Sequence, residues 1–532
     1  MSEFRLPRAA WALLSIHLVL TASLALDNPH VHLLDDAFYT LTVARNLAAG
    51  QGFSYGGFPT NGVQPLLAFL AVPFMALAGD RPETALRLMV LLMALCSTAL
   101  LWLLMRLARE AADGEAAIAA GVLYTANANL LTHDLSGLET PLHALLFWLC
   151  VWIYPRIRDG AVVRRWLGLG LLLGLLAYAR FDAVFLFLAI AIDLAWRHRR
   201  RPSDLVRRGL WLFAPAGLLL APWFVWSRLA CGSFFQSSGA FHRWRGLLRQ
   251  GVPDSLLGEV KFAVAKWVSL VAKLLFEPLW GYEGLMRWLA RSLLGVERMQ
   301  AGFLVQVMRQ RPAAGLALVA GGAAVAFILI WFGRRHLRRL GALRPYAFVL
   351  LAVAGAAIFY PLYLLNYSMR HFYPYSVGMA LVWGVWLSGF AAGAPRARKL
   401  ALGAAAAVLG ISLALPGVRL WLSDARPVAA WKITDDIRRA VPPGASIGYT
   451  DCGIYGYYLP EYNIVNLDGI LNFEALQAMK EGDIGAYLER HRVRYVLYLH
   501  NFQAEFADQW NRDVAPRVEP VDGSSWLFRM KE

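Results

Sequence analysis

Long runs of hydrophobic residues, separated by short polar connections, dominate the chain. Most runs approach the length of about 20 helical residues that crosses a hydrocarbon core of about 30 Å. The pattern predicts about eleven spanning helices. These are expected at 9–26, 85–105, 115–131, 141–154, 166–179, 183–196, 209–228, 313–333, 345–364, 375–392 and 400–422. We therefore expect a polytopic α-helical membrane protein whose transmembrane domain is formed by residues 1–422.

The basic residues between the runs predict how the chain is oriented. Arginine clusters fill the connections 155–165, 197–208 and 334–344, and a smaller basic cluster lies at 395–399. Counting the predicted spans places all four clusters on the side of the N-terminus, which the positive-inside rule assigns to the cytoplasm. The C-terminus then lies outside. This arrangement favours the inner membrane of a bacterium, with a periplasmic C-terminal domain.

One apolar segment, residues 64–79, does not fit this count, because a crossing there would invert every later basic cluster. It is short and contains two prolines, Pro65 and Pro73. We interpret it as a helix that lies along the outer leaflet, within an outer loop that covers 27–84. A missed or extra helix elsewhere is the alternative.

The last part of the chain, residues 423–532, has a different character. Helix-like stretches alternate with strand-like ones, and the stretch VRYVLYLH has the composition of a buried strand. Asp451 and Asp468 each follow a predicted strand, where sites in open α/β sheets often lie. The pattern predicts a small α/β domain outside the membrane.

Composition agrees with a membrane protein. Hydrophobic residues make up 58% of the chain and charged residues only 17%, against about 25% in soluble proteins. The net charge of +16 comes largely from the short cytoplasmic clusters, so we predict no nucleic-acid partner. The four cysteines show no metal-ligand spacing. We predict no cofactor, although the acidic residues of the outer loops are compatible with a divalent cation.

Two adjacent carboxylates mark the first outer loop. Residues 36–49 have the apolar period of an amphipathic helix, and Asp35 and Asp36 stand at its start. Aspartate is a common helix cap. A cap needs only one carboxylate, however, so the second indicates another role.

Further ionisable residues fall in the other outer connections. Asp134 and Glu139 precede a helix, Arg180 and Asp182 lie between two apolar runs, and Arg370 and His371 precede another span. Helix-dipole or salt-bridge roles would explain each one singly. Because charge near membrane depth is costly and usually functional, the four loops together predict a site for an anionic, polar ligand at the outer face. His242 and Arg243, in the outer segment 229–312, are further phosphate candidates.

The outer loops resemble the GT-C glycosyltransferases, membrane enzymes that use polyprenyl-phosphate sugars, and especially their arabinofuranosyltransferase-like and protein-mannosyltransferase-like members. The first and third of the following stretches carry the most specific likeness. They are DDAFYTLTVARNLAAGQGFSY (35–55), NGVQPL (61–66), SGLETPLHALL (136–146), ARFDAV (179–184), MRHFYP (369–374) and IGYTDCGIYGYY with VNLDGI (447–470).

The resemblance implies a catalytic aspartate in the first outer loop, juxtamembrane helices after it and a periplasmic C-terminal domain. We expect Asp35 to be the general base, with Asp36 orienting it and Glu139 holding hydroxyl groups. The expected donor-phosphate ligands are Arg180, Arg370, His371, Arg45, His242 and Arg243. The expected substrate-binding residues are Asp182, Asn61, Gln64, Asp451 and Asp468. The partners would be a polyprenyl-phosphate sugar, a glycan, lipid or protein acceptor, and membrane lipid.

Two other functions remain open from the sequence. A transporter or flippase of a lipid-linked sugar would explain intramembrane charges, but such proteins usually show an internal repeat, which we do not find here. A membrane scaffold with a partner-binding outer domain would need none of the outer carboxylates. Glycosyl transfer explains both the carboxylates and the outer domain.

Overall fold

The fold is described from a computed structural model. It covers residues 6–250 apart from positions 32 and 161, and then 333–364, 368–391, 428–498 and 504–531, with a few single positions between 267 and 331. The predicted spans 313–333 and 400–422, and most of the outer segment 229–312, lie outside the described residues.

The first part of the chain is almost entirely helical. Its helices are α1 (Arg8–Asp27), α2 (Asp35–Ala48), α3 (Pro65–Ala78), α4 (Pro82–Ala111), α5 (Gly114–Thr125), α6 (Ala128–Asp134), α7 (Thr140–Ile157), α8 (Val163–Ala179), α9 (Val184–His198), α10 (Pro202–Cys231), α11 (Ser237–Gln250), α12 (Val349–Phe359) and α13 (Tyr373–Ala391). A 3₁₀ helix at Arg334–Tyr346 precedes α12, and a second one, Met369–Phe372, precedes α13.

Within the described residues, three helices are long and apolar enough to cross a membrane, namely α1, α4 and α10. A fourth candidate is the pair Arg334–Tyr346 and Val349–Leu364, whose two parts are bent by 83°. The helical architecture agrees with the predicted fold class. The number of eleven spans remains a prediction.

The predicted span 115–131 differs from the observed structure, because the chain breaks after α5 and restarts as the short helix α6. The side chain of Asn127 accepts hydrogen bonds from the backbone N–H groups of Asn129 and Leu130, at 2.9 and 3.2 Å. This is the geometry of a helix N-cap, which starts a new helix in place of continuing the old one. Asn127 is therefore the physical cause of the break.

The segment predicted to lie along the outer leaflet forms α3. Its 14 residues reach only about 21 Å, which is shorter than the hydrocarbon core. Between α2 and α3 lies a small hairpin of β1 (Ser54–Tyr55) and β2 (Phe58–Pro59). The first outer loop is therefore a folded unit of two helices and a hairpin.

The C-terminal region combines helices with a five-stranded sheet, and its status as a separate domain outside the membrane remains a prediction. Its helices are α14 (Val428–Ala440), α15 (Gly453–Tyr458), α16 (Phe473–Glu481), α17 (Ile484–Arg490) and α18 (Ala504–Gln509), and its strands are β3 (Ser446–Tyr449), β4 (Asn463–Asn466), β5 (Tyr495–Leu497), β6 (Val518–Pro520) and β7 (Leu527–Met530). The sheet order is β4-β3-β5-β7-β6, in which β4, β3 and β5 are parallel and β7 and β6 are antiparallel.

The first outer loop packs directly on this domain. Phe38 of α2 contacts the rings of Tyr457 and Tyr458 of α15, with centroid distances of 5.7 Å each. Tyr55 of the hairpin donates its hydroxyl to the Cys452 carbonyl at 2.7 Å. Helix α2 therefore has one face packed against the C-terminal region.

Candidate functional site

The two aspartates at the start of α2 point to different partners. Adjacent helical residues diverge by about 100°. Asp35 accepts hydrogen bonds from the backbone N–H groups of Gly453 and Ile454, at 2.8 and 2.9 Å. A Cβ atom at Gly453 would lie 2.2 Å from the Asp35 carbonyl oxygen, so this approach requires glycine. Asp35 therefore caps helix α15 of the C-terminal domain.

The position of Asp35 also changes its acidity. Burial raises the pKa of the Asp35 carboxyl to about 7, against the lowering effect of the Ile454 and Gly453 amides. The neighbouring carboxylates of Asp36 and Asp451 act in the same direction as burial. Both oxygens of Asp35 are thus engaged in a partly buried contact between two parts of the chain.

Arg45, at the other end of α2, holds the other end of α15. Its two terminal nitrogens donate to the carbonyls of Tyr457 and Gly456, both at 2.8 Å. The carbonyls at a helix C-terminus are the groups that a cation stabilises. Asp35 and Arg45 therefore clamp α15 at its two ends, and the structure places Arg45 away from the other predicted phosphate ligands.

Asp36 faces a different direction from Asp35 and forms an ion pair with Arg370, at 2.6 Å. The Asp36 side chain is 38% exposed and that of Arg370 is 20% exposed. Burial would raise the pKa of Asp36, but the charge and hydrogen bond of Arg370 hold it below its usual value. Asp36 is therefore an ionised and partly accessible carboxylate. The Nε atom of Arg370 is buried and has no hydrogen-bond partner among the described residues.

His371 stands beside this pair as a neutral ring. Its Nδ1 atom accepts from the Ser368 backbone N–H at 3.2 Å, which leaves Nε2 as the protonated nitrogen. Burial, with the charges of Arg180 and Arg370, lowers the pKa of His371 well below its usual value. His371 can therefore donate a hydrogen bond to a phosphate but does not contribute a charge.

The ring of Tyr360 connects His371 to a second charged cluster. The two rings are stacked, with centroids 4.4 Å apart and an interplanar angle of 12°. The Tyr360 hydroxyl donates to Asp182 at 2.6 Å. A continuous chain of contacts therefore runs from Asp36 through Arg370 and His371 to Asp182.

Arg180 is the centre of the second cluster. It donates to Glu139 at 2.8 Å and to Asp182 at 2.9 Å, and all three side chains are at most 10% exposed. The imidazole of His143 lies 3.4 Å from Asp182. Burial would raise the pKa of Asp182, but Arg180 holds it below its usual value. Arg180 is thus neutralised by two carboxylates before any ligand arrives.

Helix α11 covers the same region. His242 is close enough to Asp36 and His371 to influence the acidity of both. The guanidinium carbon of Arg243 lies 4.0 Å from the centroid of the Tyr363 ring, in a cation–π contact. The structure therefore groups three of the predicted phosphate ligands, Arg370, His371 and His242, near Asp36. Arg243 lies on the neighbouring Tyr363 ring, and Arg180 lies in the second cluster.

The remaining predicted residues have structural partners. The Asn61 side chain accepts from the Ser237 N–H at 3.1 Å and donates to the Phe235 carbonyl at 3.1 Å. Gln64 lies within hydrogen-bond distance of Gln236. Both residues thus organise the connection between α10 and α11, and their predicted contact with substrate remains a prediction.

Asp468 and Asp451 lie side by side after the parallel strands β4 and β3, as the sequence indicated. Asp468 accepts from the backbone N–H groups of Ile470, at 2.9 Å, and Asp451, at 3.3 Å. Burial raises the pKa of Asp468 to about 6. Asp451 is exposed and adopts a left-handed backbone with a φ of 37°.

Several residues of this region were not predicted. Tyr360 and His143 are polar side chains within apolar runs, and only their contacts with Asp182 identify them. Asp134, Tyr124 and Tyr373 form a buried hydrogen-bonded group behind the site, in which the two tyrosine hydroxyls are 2.8 Å apart. The sequence had already singled out Asp134 as an ionisable residue of a connection, but not its two tyrosine partners.

Within the described part of the chain, no group of three or more His, Cys, Asp or Glu side chains is arranged to hold a metal ion. The carboxylates of Asp36, Glu139 and Asp182 are bound to arginines, and those of Asp35 and Asp468 to backbone amides. Independence from metal remains a prediction.

Comparison with known proteins bears on this arrangement. Residues 62–226 match the family model described as dolichyl-phosphate-mannose-protein mannosyltransferase. Residues 422–526 match a model described as a domain of unknown function, DUF8728. No curated protein matches the chain.

The fold is similar to that of solved membrane glycosyltransferases. The oligosaccharyltransferase of Archaeoglobus fulgidus, in complex with Zn and sulfate, aligns with 15% identity and a TM-score of 0.54, covering 91% of this chain and 67% of its own. ArnT from Cupriavidus metallidurans, bound to undecaprenyl phosphate, aligns with 16% identity and a TM-score of 0.47, covering 98% of both chains. The likeness in fold rests on the archaeal structure, which has the higher score.

The resemblance to GT-C glycosyltransferases is confirmed. The matched region 62–226 contains Glu139, Arg180 and Asp182, so the second charged cluster lies inside it. Asp36, Arg370 and the C-terminal domain lie outside it.

Proposed function

We propose that the protein transfers a sugar from a polyprenyl-phosphate donor to an acceptor hydroxyl at the outer face of a bacterial inner membrane. The observation that carries the proposal is the pair of Asp36 and Arg370, an accessible carboxylate bound to an arginine that retains a buried, unpartnered Nε among the described residues. The match of residues 62–226 to a family named for dolichyl-phosphate mannose supports a lipid-phosphate donor.

In this proposal Asp36 is the general base. The acceptor O–H gives its proton to the Asp36 carboxylate while its oxygen forms a bond to the anomeric carbon. The bond from that carbon to the phosphate oxygen breaks, and the polyprenyl phosphate leaves with the electron pair. Positioned base catalysis typically contributes about 10²–10⁴-fold to the rate. The assignment reverses our expectation from the sequence, because both oxygens of Asp35 are engaged by backbone amides.

Arg370 stabilises the negative charge that develops on the leaving phosphate. Its guanidinium suits phosphate oxygens because it presents several donors in a planar fork. A bound phosphate competes with Asp36 for this guanidinium, and this competition frees the carboxylate to accept a proton. His371 adds a neutral donor, and His242 and Arg243 add donors from α11. Arg180 with Glu139 and Asp182 positions these groups through Tyr360.

Turnover by the purified protein in lipid vesicles tests the proposal. Dolichyl-phosphate mannose and a polyprenyl-phosphate pentose serve as donors, with a nucleotide sugar as the alternative donor and a mixture of glycan, lipid and peptide acceptors. We expect transfer only from lipid-phosphate sugars. Asp36→Asn should lower kcat at saturating donor by about 10²–10⁴-fold, because the amide cannot accept the proton.

The matched control is Asp80→Asn, since Asp80 is an exposed aspartate on the connection between α3 and α4. This variant should keep wild-type turnover. Transfer from a nucleotide sugar without lipid carrier, or wild-type turnover by Asp36→Asn, would refute the proposal.

A further inference from the structure

The arginine-rich connections 155–165, 197–208 and 334–344 lie far apart in the sequence, but the fold joins them. Arg158, which is 8% exposed, is the residue that connects them. It donates to the Pro345 carbonyl at 3.0 Å and lies 3.6 Å from Asp193, near the end of α9. Its own carbonyl accepts a hydrogen bond from Arg208 of α10. The three connections therefore form one continuous surface at one end of the helical region.

Much of the positive charge on this surface is not neutralised. The nearby carboxylates of Asp159, Asp193 and Asp204 pair with other arginines, namely Arg158, Arg197 and Arg207. Several further arginines are exposed and form no ion pair within the part of the chain that the structure describes. We call these residues the arginine surface, and they are Arg164, Arg165, Arg199, Arg200, Arg201 and Arg344. Such a surface favours an anionic partner.

Exposed apolar stripes lead along the helices to the arginine surface. On α9, Leu188, Ile192 and Trp196 follow one another at every fourth residue and are 54%, 52% and 69% exposed. Arg200 continues the same spacing. The exposed apolar residues of the two neighbouring helices have this spacing too, and they are Leu167, Leu171 and Leu175 on α8 and Val206 and Leu210 on α10. In a membrane protein, apolar stripes of this kind face lipid acyl chains.

Tryptophan lies where the apolar stripes meet the arginines. The guanidinium carbon of Arg199 lies 4.5 Å from the centroid of the exposed Trp196 ring, and that of Arg207 lies 5.2 Å from the centroid of Trp211. Tryptophan is enriched at the headgroup level of membranes, because its ring is apolar and its N–H group is polar. The order of apolar stripe, tryptophan and arginine therefore matches the order of acyl chain, interface and headgroup in a phospholipid.

Close packing of α8 on α10 fixes the position of part of this surface. A Cβ atom at Gly170 would lie 2.3 Å from the Leu212 carbonyl oxygen, so the two helices touch there. About one turn earlier on each helix, the guanidinium carbon of Arg208 lies 5.6 Å from the centroid of the Trp166 ring. The helices therefore run parallel, and the two arginines that precede Trp166 lie beside the first turns of α10.

We propose that the arginine surface binds anionic phospholipids, with headgroup phosphates against the guanidinium groups and acyl chains along α8, α9 and α10. In the predicted orientation these lipids belong to the cytoplasmic leaflet. A guanidinium group binds phosphate oxygens through a planar fork of donors. A soluble polyanion would use the same charges but would leave the apolar stripes uncovered. The inference does not depend on the transfer reaction, because Asp36 and Arg370 are not part of this surface.

Lipid capture by the full-length protein tests the proposal. The protein is bound to resin from mixed micelles that contain equal amounts of dioleoyl phosphatidylglycerol and dioleoyl phosphatidylcholine, and the captured lipids are measured by mass spectrometry. The two lipids have the same acyl chains and differ in net charge. We expect phosphatidylglycerol to be enriched by about 3- to 10-fold, because each basic residue near an anionic headgroup strengthens binding about fivefold.

Replacement of arginines should lower this enrichment. Arg164→Gln with Arg165→Gln should reduce it by about 2-fold or more, and the further changes Arg199→Gln and Arg200→Gln should bring it close to parity. The same four positions changed to lysine keep the charge and should keep most of the enrichment. The matched control is Arg490→Gln with Arg494→Gln, which removes two exposed arginines of the C-terminal region. This control should capture lipid as the wild type does.

Loss of arginines can also change membrane orientation. A cysteine at Leu337 therefore reports the orientation of each variant by thiol labelling. The salt dependence of the wild type is a test without any substitution. A rise in ionic strength from 0.1 M to 1 M shortens the Debye length from about 10 Å to about 3 Å, so the enrichment should fall toward parity.

Four results would overturn the inference. The first is no enrichment in the wild type, or the same enrichment in the fourfold glutamine variant. The second is an equal loss in the C-terminal control, which would reduce the effect to net charge. The third is a loss in Arg370→Ala, which would assign the lipid to the transfer site. The fourth is displacement of the lipid by inorganic phosphate or RNA at constant ionic strength. If turnover from lipid-phosphate donors fails while the enrichment persists, only the transfer proposal falls.

Discussion

The carboxylate of Asp36 and the guanidinium of Arg370 lie 2.6 Å apart, although 334 residues separate them in the sequence. The contact joins the first outer loop to the connection before α13. Each partner is partly exposed, so the pair is accessible to a ligand. An ion pair in this position can exchange partners when a phosphate arrives, which a fully buried pair such as Arg180 and Asp182 cannot do as readily.

Replacement of Arg370 tests its role in leaving-group stabilisation. Arg370→Ala should lower kcat by about 10²–10³-fold, the usual effect of removing one donor from a developing oxyanion. Arg370→Lys keeps the charge but loses the planar fork, so we expect an intermediate rate. The measurement is single-turnover transfer at saturating lipid donor. Arg228→Ala, at an exposed arginine near the end of α10, is the control and should retain full activity.

The buried carboxyl of Asp35 should make stability depend on pH. Its folded-state pKa is about 7, above the ordinary value of 3.8. Between pH 3.8 and about pH 7, Asp35 is more protonated in the folded state than in the unfolded state. The free energy of unfolding therefore falls as pH rises through this range. The contribution is present below pH 3.8 and is lost as pH passes through about 7. We expect a loss on the order of 1–3 kcal/mol between about pH 5 and pH 8.

Thermal unfolding of wild type and Asp35→Asn, followed in the same detergent across this pH range, checks the prediction. At low pH the protonated carboxyl of Asp35 and the amide of the variant each offer one carbonyl acceptor to α15, so the two proteins should be similarly stable there. The melting temperature of the variant should then change less with pH than that of the wild type. Parallel pH profiles of the two proteins would contradict the assignment to Asp35.

Much of the fold could be predicted from hydrophobic periodicity. The helices α1, α4, α7 and α10, the short α3 and the strands β3, β4 and β5 followed from run length and alternation, whereas β6 and β7 were not predicted. The break between α5 and α6 could not be predicted in this way, because the apolar run continues through Asn127. A polar residue inside a run is common, and whether its side chain caps a new helix depends on local geometry.

The site could be predicted only in part, because the partners of its side chains come from distant segments of the chain. The sequence indicated that the two aspartates of α2 diverge, but not which one faces the C-terminal domain. That choice is made by Gly453 and Ile454, more than 400 residues further along the chain. Arg45 and Asn61 were predicted as site residues because they are polar and lie in a predicted outer loop. Their partners are backbone groups of distant segments, which carry no signature in the sequence.

The cluster around Arg180 should stabilise the fold strongly. Among the described residues, Asp182→Asn leaves the buried guanidinium with Glu139 as its remaining charged partner, and breaking a buried pair typically costs about 3–5 kcal/mol. Tyr360→Phe removes one hydrogen bond to Asp182 and should cost about 1–2 kcal/mol. The free energies come from denaturant unfolding of each variant in detergent. A stability of Asp182→Asn equal to that of Tyr360→Phe would show that Arg180 finds another partner.

Membrane orientation gives the last prediction. Single cysteines at Pro59 and Asp80, which are exposed residues of the outer loop, should react with an impermeant thiol reagent in intact cells. Cysteines at Arg200 and Leu337, exposed within the arginine-rich connections, should react only after lysis. The background replaces the four native cysteines, of which Cys96, Cys150 and Cys452 are buried. Labelling at position 80 shows whether α3 crosses the membrane, because the 14 residues of α3 lie between Pro59 and this position. Protection of position 80 until lysis, with position 59 labelled in intact cells, would mean that α3 crosses the membrane.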